Sequence, residues 1–330
     1  MLGEKKKEYF KNYFIKYKTN VKKVWNGIKG IINIKNETNN CPTSIEVNGT
    51  ILSDPKIIAG NFNDYFTSIA DSILEKRKYK GNKSFREFLI NRITEAFVFH
   101  ETNYDEVLSL LFDLKENKST GPYSIPVKIL KLLGVRLVKP LTELFNISMR
   151  TGKHPNIFKI SKVIPIHKKG SLLSLGNYRP ISLLSNLNKI LEKLVHSRLF
   201  DFFEDSQALY FLQFGFRKKH STIHALIEIT ESVRRALDNG MVACGVFLDL
   251  QKAFDTVNHD ILLAKLDHYG VRGTSLNWFR SYLSGRKQFV SILGFESDTK
   301  DIKHGVPQGS VLGPLLFLIY INDLYDHLHK

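Results

Sequence analysis

In the stretch GVFLDLQKAFDTVNHDIL, residues 245–262, a single acid, Asp249, stands inside a segment that is otherwise apolar and patterned as a buried strand. Alternate residues of a strand face opposite ways, so Val246, Leu248 and Leu250 share one face while Phe247 and Asp249 share the other. A carboxylate among apolar neighbours is costly unless a cation answers it. The fold must therefore bring a Lys or Arg, or a divalent metal, to this strand, and the segment alone leaves both open. The residues after it read as a rigid mount: Phe254 lies at the strand exit, and Asn258 is placed to cap a helix through His268. Leu262, Leu266 and Tyr269 repeat there at helical spacing, and Gly270 is the expected stop.

The chain has 330 residues, 43% of them hydrophobic, enough for a sizeable core in about two domains. Its 48 Lys and Arg against 32 Asp and Glu give a net charge of +16, which implies a polyanionic partner, nucleic acid before an anionic membrane surface. Two cysteines, Cys41 and Cys244, support neither a disulfide framework nor a cysteine zinc site, and the histidines show no metal-ligand spacing. No signal peptide is evident, and the longest apolar run, 311–321, is broken by Gly313 and Pro314 and is too short to span a bilayer. An intracellular protein, nuclear or cytoplasmic and not membrane-bound, is expected.

Residues 1–35 carry ten lysines against two glutamates, a net of +8, with Tyr9, Phe10, Tyr13, Phe14 and Tyr17 at helical spacing among them. The pattern predicts a basic amphipathic helix, open to docking on the body, contact with phosphates or membrane binding. A polar linker over 36–42, a helix over 54–74 and a second polar patch over 76–84 come next, with a domain boundary expected near residue 95. Helical patterns fill 104–115, 125–133 and 140–150. From residue 160 the reading is a hairpin, strands at 162–166 and 178–182 around a basic loop, then helices over 187–203 and from Ser221 or Thr222 to Asn239. A second hairpin is expected over 286–305, and Ser310 is placed to cap an apolar helix after GVPQGS, where glycines beside an amide let backbone approach a flat ligand.

Seven blocks, taken together and in this order, resemble one family: STGPYSIPVKILK (119–131), PNIFKISKVIPIHKKGS (155–171), NYRPISLLSNLNKILEKLVHSRL (177–199), QFGFRKKHSTIHAL (213–226), FLDLQKAFDTVNHDIL (247–262), SYLSGRKQFVSI (281–292) and GVPQGSVLGPLLFLIYINDL (305–324). They are similar to the reverse transcriptases of non-long-terminal-repeat (LINE-type) retrotransposons, particularly the jockey-like elements, and cover roughly residues 100–325. The resemblance implies an α+β right-hand polymerase: a basic helical extension over 1–95, fingers over 96–240, and a partial palm over 241–330 in which helices back an antiparallel sheet. It implies RNA template, DNA primer and deoxynucleoside triphosphates as partners, and two Mg²⁺ or Mn²⁺ ions as cofactors. Asp249 then matches the first catalytic aspartate and metal ligand, with the Leu250 carbonyl joining the metal shell. Phe254 matches the gate against a ribose 2′ hydroxyl, and Gln308 the residue along the nascent base pair. Lys168 or Lys169 and Arg179 match the fingers groups that grip the triphosphate, where a planar guanidinium can bond two oxygens at once. Asp255 belongs to the same motif but reads as a locally paired structural residue.

Two departures stand out. Tyr123-Ser124 replaces the family's usual Asp-Gly. The aromatic-Ala-Asp-Asp block that supplies the other carboxylates is not among the 330 residues, and Asp323 belongs to the matched INDL segment and is no obvious substitute. The chain is therefore expected to be a fragment of a truncated or split element that extends primers poorly or not at all. A group II intron maturase-like enzyme and a non-catalytic basic RNA-binding remnant are the competing readings.

Overall fold

The computed structural model describes residues 2–31, 41–76, 84–90, 92–117 and 119–327. The linker expected over 36–42 and the polar patch over 76–84 lie mostly outside them. The described residues cluster in two compact units, 1–42 and 43–330.

In the first unit the expected single basic helix is two, α1 (Leu2–Lys16) and α2 (Val21–Ile31). The chain turns at Asn20, whose side chain accepts the amide of Lys23 at 3.1 Å and so starts the second helix. The aromatics of α1 and Tyr17 pack in a row, Tyr13 edge-on to Phe14 at 5.9 Å and to Tyr17 at 4.9 Å. Gly27 of α2 lies against Tyr13 and Phe14, so close that a Cβ there would come within 2.8 Å of both rings. Lys5, Lys6, Lys7, Lys11, Lys16 and Lys18 stay exposed.

The second unit opens with a ribbon of β1 (Ile45–Val47) and β2 (Thr50–Leu52), then α3 (Pro55–Glu75), begun by Asp54 accepting the amides of Lys56 and Ile57. Helices α4 (Tyr104–Phe112), α5 (Val127–Leu132) and α6 (Gly134–Thr151) follow. Helix α6 starts six residues before the expected Pro140, which sits inside it, and Gly152 ends it at φ +66°. The hairpin of β3 (Ile160–His167) and β4 (Tyr178–Leu183) forms as the sequence predicts, with Ile166 opposite Arg179. Then come α7 (Asn186–Asp205), α8 (Thr222–Asp238), α9 (His259–His268) and α10 (Gly273–Leu283). The predicted caps hold: Ser221 caps α8, Asn258 caps α9, and Gly240 and Gly270 follow those helices at positive φ. Strands β5 (Arg286–Ile292), β6 (Phe295–Glu296) and β7 (Lys300–Ile302) precede α11 (Gly313–Ile321), whose first amide is accepted by the Ser310 hydroxyl at 2.9 Å.

The main sheet runs β4-β3-β5-β6 with β7 also on β5. It is mixed: the pairs within residues 241–330, β5–β6 and β5–β7, are antiparallel, as is the β3–β4 hairpin, while β3 and β5 join the two in parallel. Helix α3 lies against β5, β6 and β7 and is pinned there by Asn63, which donates to the Asp298 carbonyl at 2.7 Å and accepts from Gln288 at 3.0 Å. The core is helical, drawn from the inward faces of α4, α6, α7, α9, α10 and α11 around Trp278, Phe279 and Tyr282. Each fully buried side chain of this kind contributes roughly 1.5–3 kcal/mol. A buried polar chain threads that core: His154 donates to Asn188, Asn188 to Glu192, and Glu192 also accepts from the Tyr282 hydroxyl at 3.0 Å and the Val311 amide at 2.6 Å. It fixes the approach to α11 from α7.

The strand expected at 246–250 does not form. Residues 241–250 are irregular and exposed, Val246 by 80%, Phe247 by 89% and Leu248 by 67%, and α8 buries none of its residues. A strand exists only where a neighbour completes its hydrogen-bond ladder. Among the described residues no strand lies beside 246–250, so its amides and carbonyls face solvent and the alternating apolar pattern has nothing to bury against.

Candidate functional site

The side chains of interest gather where the β3–β4 loop meets the turn 251–256 and the loop 305–309. The turn closes through the Lys252 carbonyl, which accepts the amides of Asp255 at 2.9 Å and Thr256 at 3.1 Å. Its far side is stitched to the second loop: the Val306 amide donates to the Phe254 carbonyl and the Gly305 amide to that of Val257, both at 2.8 Å, and His259 Nε2 donates to the Gly305 carbonyl at 2.7 Å. Gly305 stands at φ +85°, and a Cβ there would fall 2.8 Å from the Phe254 carbonyl oxygen, so only glycine allows the two segments this close.

Phe254 is part-buried and stacks on Phe317 of α11, ring centres 4.9 Å apart, with Phe216 edge-on at 5.9 Å. Its ring is thus held from two sides. Gln308 is tied at both ends: its carbonyl accepts the Ser182 amide of β4 at 2.7 Å, and its Nε2 lies 2.8 Å from each carboxylate oxygen of Asp255. Asp255, assigned a local structural role on sequence, therefore reaches across to the residue expected along the base pair. Burial pushes its carboxyl up, while the Gln308 amide and the charge of Lys252 pull it back.

The cations converge from two elements. Lys252 donates Nζ to the carbonyls of Gly176 and Tyr178, each at 3.3 Å, tying the turn to the β3–β4 loop. Its ammonium is lowered from the ordinary lysine value by burial, with repulsion from Lys168 and Arg179 adding to the shift and Asp255 opposing it. Lys168 and Arg179 are themselves exposed, at the end of β3–β4. Lys169 is exposed beside them and makes no hydrogen bond or ion pair with a described residue. A small cavity of about 40 Å³ opens next to this group, where Ser182, Asp255, Arg286, Gln288, His304 and Gln308 share the lining with apolar residues such as Phe66, Ile302 and Val306. Arg286 is 1% exposed and stacks on Tyr282, and its Nε and Nη2 have no hydrogen-bond partner among the described residues. Lys252 and Arg286 are not singled out by the sequence, and the partner of Asp255 cannot be read there, because these roles depend on the two loops meeting.

Asp249 and Leu250 are not part of this cluster. Both are exposed on the irregular segment, and Asp249 makes no hydrogen bond or ion pair with a described residue. No three His, Cys, Asp or Glu side chains come together as a metal site among the described residues. A two-ion centre needs several carboxylates, so the residues described do not fit one. Asp323 is not available to it: it is buried and ion-paired with Lys265 of α9, whose ammonium also donates to the Tyr320 carbonyl at 2.5 Å. No described helix is long and apolar enough to cross a membrane.

Residues 166–330 match the family described as "Reverse transcriptase (RNA-dependent DNA polymerase)". The chain is similar to the "Probable RNA-directed DNA polymerase from transposon BS" of Drosophila melanogaster, 36% identical over 227 residues, 67% of this chain and 24% of that protein. It is 33% identical over 246 residues to the "RNA-directed DNA polymerase from mobile element jockey" of the same species, 74% of this chain and 27% of that protein. With the "Retrovirus-related Pol polyprotein from type-1 retrotransposable element R2" of Popillia japonica it shares 26% over 219 residues, 66% of this chain and 30% of that protein. The chain spans about a quarter of the length of the first two.

Proposed function

The chain belongs to the reverse transcriptase (RNA-dependent DNA polymerase) family, in its jockey-like non-LTR branch, and on that premise we propose that it carries the nucleotide-gripping part of such an enzyme. Residues 96–240 serve as fingers, 241–330 as part of the palm, and 1–95 as a basic extension. The reaction is attack of a primer 3′ hydroxyl on the α-phosphorus of a deoxynucleoside triphosphate, templated by RNA. A new P–O bond forms as the bond to the β-phosphate oxygen breaks, and pyrophosphate leaves.

The observation that carries this reading is that Lys252 ties the turn bearing Phe254 and Asp255 to the β3–β4 loop beside Lys168 and Arg179, while Gln308 is bonded to Asp255 of the same turn. Three cations with one carboxylate among them form a place for a polyanion, and a triphosphate is the polyanion that belongs beside a flat amide and a fixed aromatic ring. Lys168 and Arg179, with Lys169 at the loop, hold the phosphates. Phe254, braced by Phe317, blocks a ribose 2′ hydroxyl. Gln308 lies along the nascent pair. Asp249 and the Leu250 carbonyl are the proposed ligands of divalent ions, Mg²⁺ or Mn²⁺, and would need further carboxylates beside them.

Primer extension on poly(rA)·oligo(dT) with dTTP and either ion tests the proposal. It compares the 330-residue chain, its Asp249→Ala variant, and a longer chain carrying an Asp-Asp block. Addition of dTMP is expected only from the longer chain, and its loss on Asp249→Ala. Extension by the short chain that survives Asp249→Ala would remove Asp249 from the mechanism.

The first unit favours a second contribution. Tyr13, Phe14 and Tyr17 pack against one another while Lys5, Lys6, Lys7, Lys11, Lys16 and Lys18 remain exposed, with Tyr9 and Trp25 more than half exposed as well, which suits phosphate-backbone contact.

A further inference from the structure

Resting on the proposed reading of Gln308, we infer that Asp255 is a positioning residue that fixes which end of the Gln308 amide the site presents: the carbonyl Oε1 toward the nucleotide, the NH₂ group toward Asp255. An ionised carboxylate only accepts hydrogen bonds, so the group 2.8 Å from both of its oxygens must be the amide nitrogen. The backbone on both sides of this side chain is already held. Its carbonyl is held by the Ser182 amide, and Gly309 next to it stands at φ +116°, where a Cβ would fall 2.7 Å from the Ser182 carbonyl oxygen. What a backbone clamp cannot choose is the two-fold orientation of the terminal amide. Asp255 makes that choice.

Asp255 is suited to it. The residue before it, Phe254, is braced by Phe317, and its own amide closes the turn on the Lys252 carbonyl, so the carboxylate is as fixed as the amide it holds. The charged and titratable groups around it are Lys252 and Tyr65, which interact with it electrostatically, and Arg286 and His304, which line the same cavity. One short turn thus sets two features of the nucleotide site, the aromatic gate and the polarity of the glutamine facing it. A merely structural pair would hold the loop without changing the affinity for dTTP, and this separates the two roles.

The full chain contains five glutamines, so selective ¹⁵N-glutamine labelling gives five side-chain amide signals, with Gln308 assigned by its loss in Gln308→Ala. In the wild type the Gln308 amide is expected to shift with the titration of one carboxyl group, and to shift again when poly(rA)·oligo(dT) and dTTP are added. Asp255→Asn, nearly isosteric, should abolish the first shift and weaken the apparent affinity for dTTP about tenfold, the size expected for a misdirected charge-assisted contact. The double exchange Asp255→Asn with Gln308→Glu restores a donor facing an acceptor and still presents an oxygen to the nucleotide. It should recover dTTP affinity, read by fluorescence anisotropy, to within about threefold of wild type. Absence of carboxyl titration at Gln308, or wild-type dTTP affinity in Asp255→Asn, overturns the inference while leaving the site assignment in place. A Gln308 signal that titrates but ignores template–primer and dTTP overturns the assignment of Gln308 itself, and the inference with it.

Discussion

Ser124 stands at φ +53°, in the left-handed region that glycine occupies without strain, one of the two positions where the family resemblance leads one to expect Asp-Gly. Ser124→Gly relieves the Cβ clash and gives back part of that gain as unfolded-state entropy, so a net stabilisation of about 0.5 kcal/mol is expected in denaturant unfolding. Nearby Gly121 allows no such exchange, since a Cβ there would sit 2.5 Å from the Leu184 carbonyl oxygen. His154 makes a pH prediction. It is buried, donates Nε2–H to Asn188, and finds no partner for Nδ1 among the described residues, so burial, with Arg286 adding to it, holds its pKa down at about 3 from the ordinary 6.5. The unfolded chain therefore takes up a proton that the folded chain refuses. Stability is complete above pH 6.5 and is lost as pH falls toward 3, by up to about 5 kcal/mol from this residue. His154→Gln, which can still donate to Asn188, should flatten that slope in urea titrations run between pH 4 and 7. An unchanged slope would assign it to other groups, such as the part-buried His196 and His259.

Among the elements, the end of α11 is held to α9 by charge as much as by packing. Asp323 lies two residues past the end of the helix and pairs with Lys265, both side chains nearly buried. Removing one partner of such a pair strands the other charge, at a cost of roughly 3–5 kcal/mol. Asp323→Ala is accordingly expected to lower the unfolding free energy by that amount in guanidinium titrations. A variant of unchanged stability would make Asp323 a candidate metal ligand again. Helix α8 shows the opposite condition: Ile223, Leu226, Ile227 and Leu237 are all more than half exposed, and the segment after it, with Asp249, is unsupported. The same lack of a neighbouring strand that leaves Val246 and Phe247 in solvent keeps Asp249 away from Gln308 and Phe254.

For the whole molecule the governing quantity is the charge of +16, half of it on residues 1–35. Binding to template–primer should release counterions, so the logarithm of affinity is expected to fall linearly with the logarithm of salt concentration, with a steep slope of about −4 or more negative. Fluorescence anisotropy across a salt series measures it, and a slope near zero would exclude phosphate contact as the main source of affinity. The caps, hairpins and helices could largely be read directly from residues, because Ser221, Asn258, Gly270 and Ser310 act on backbone within a turn of themselves. So could Phe254, Gln308, Lys168 and Arg179 as candidates, through ordered motifs. The missing strand could not, because the alternation at 246–250 states only which faces would be buried if another strand came alongside. Nor could the bond from Gln308 to Asp255 or that from Lys252 to the β3–β4 loop: each joins segments more than fifty residues apart, and their meeting is set by how the helical core and the mixed sheet pack, a property no local pattern carries.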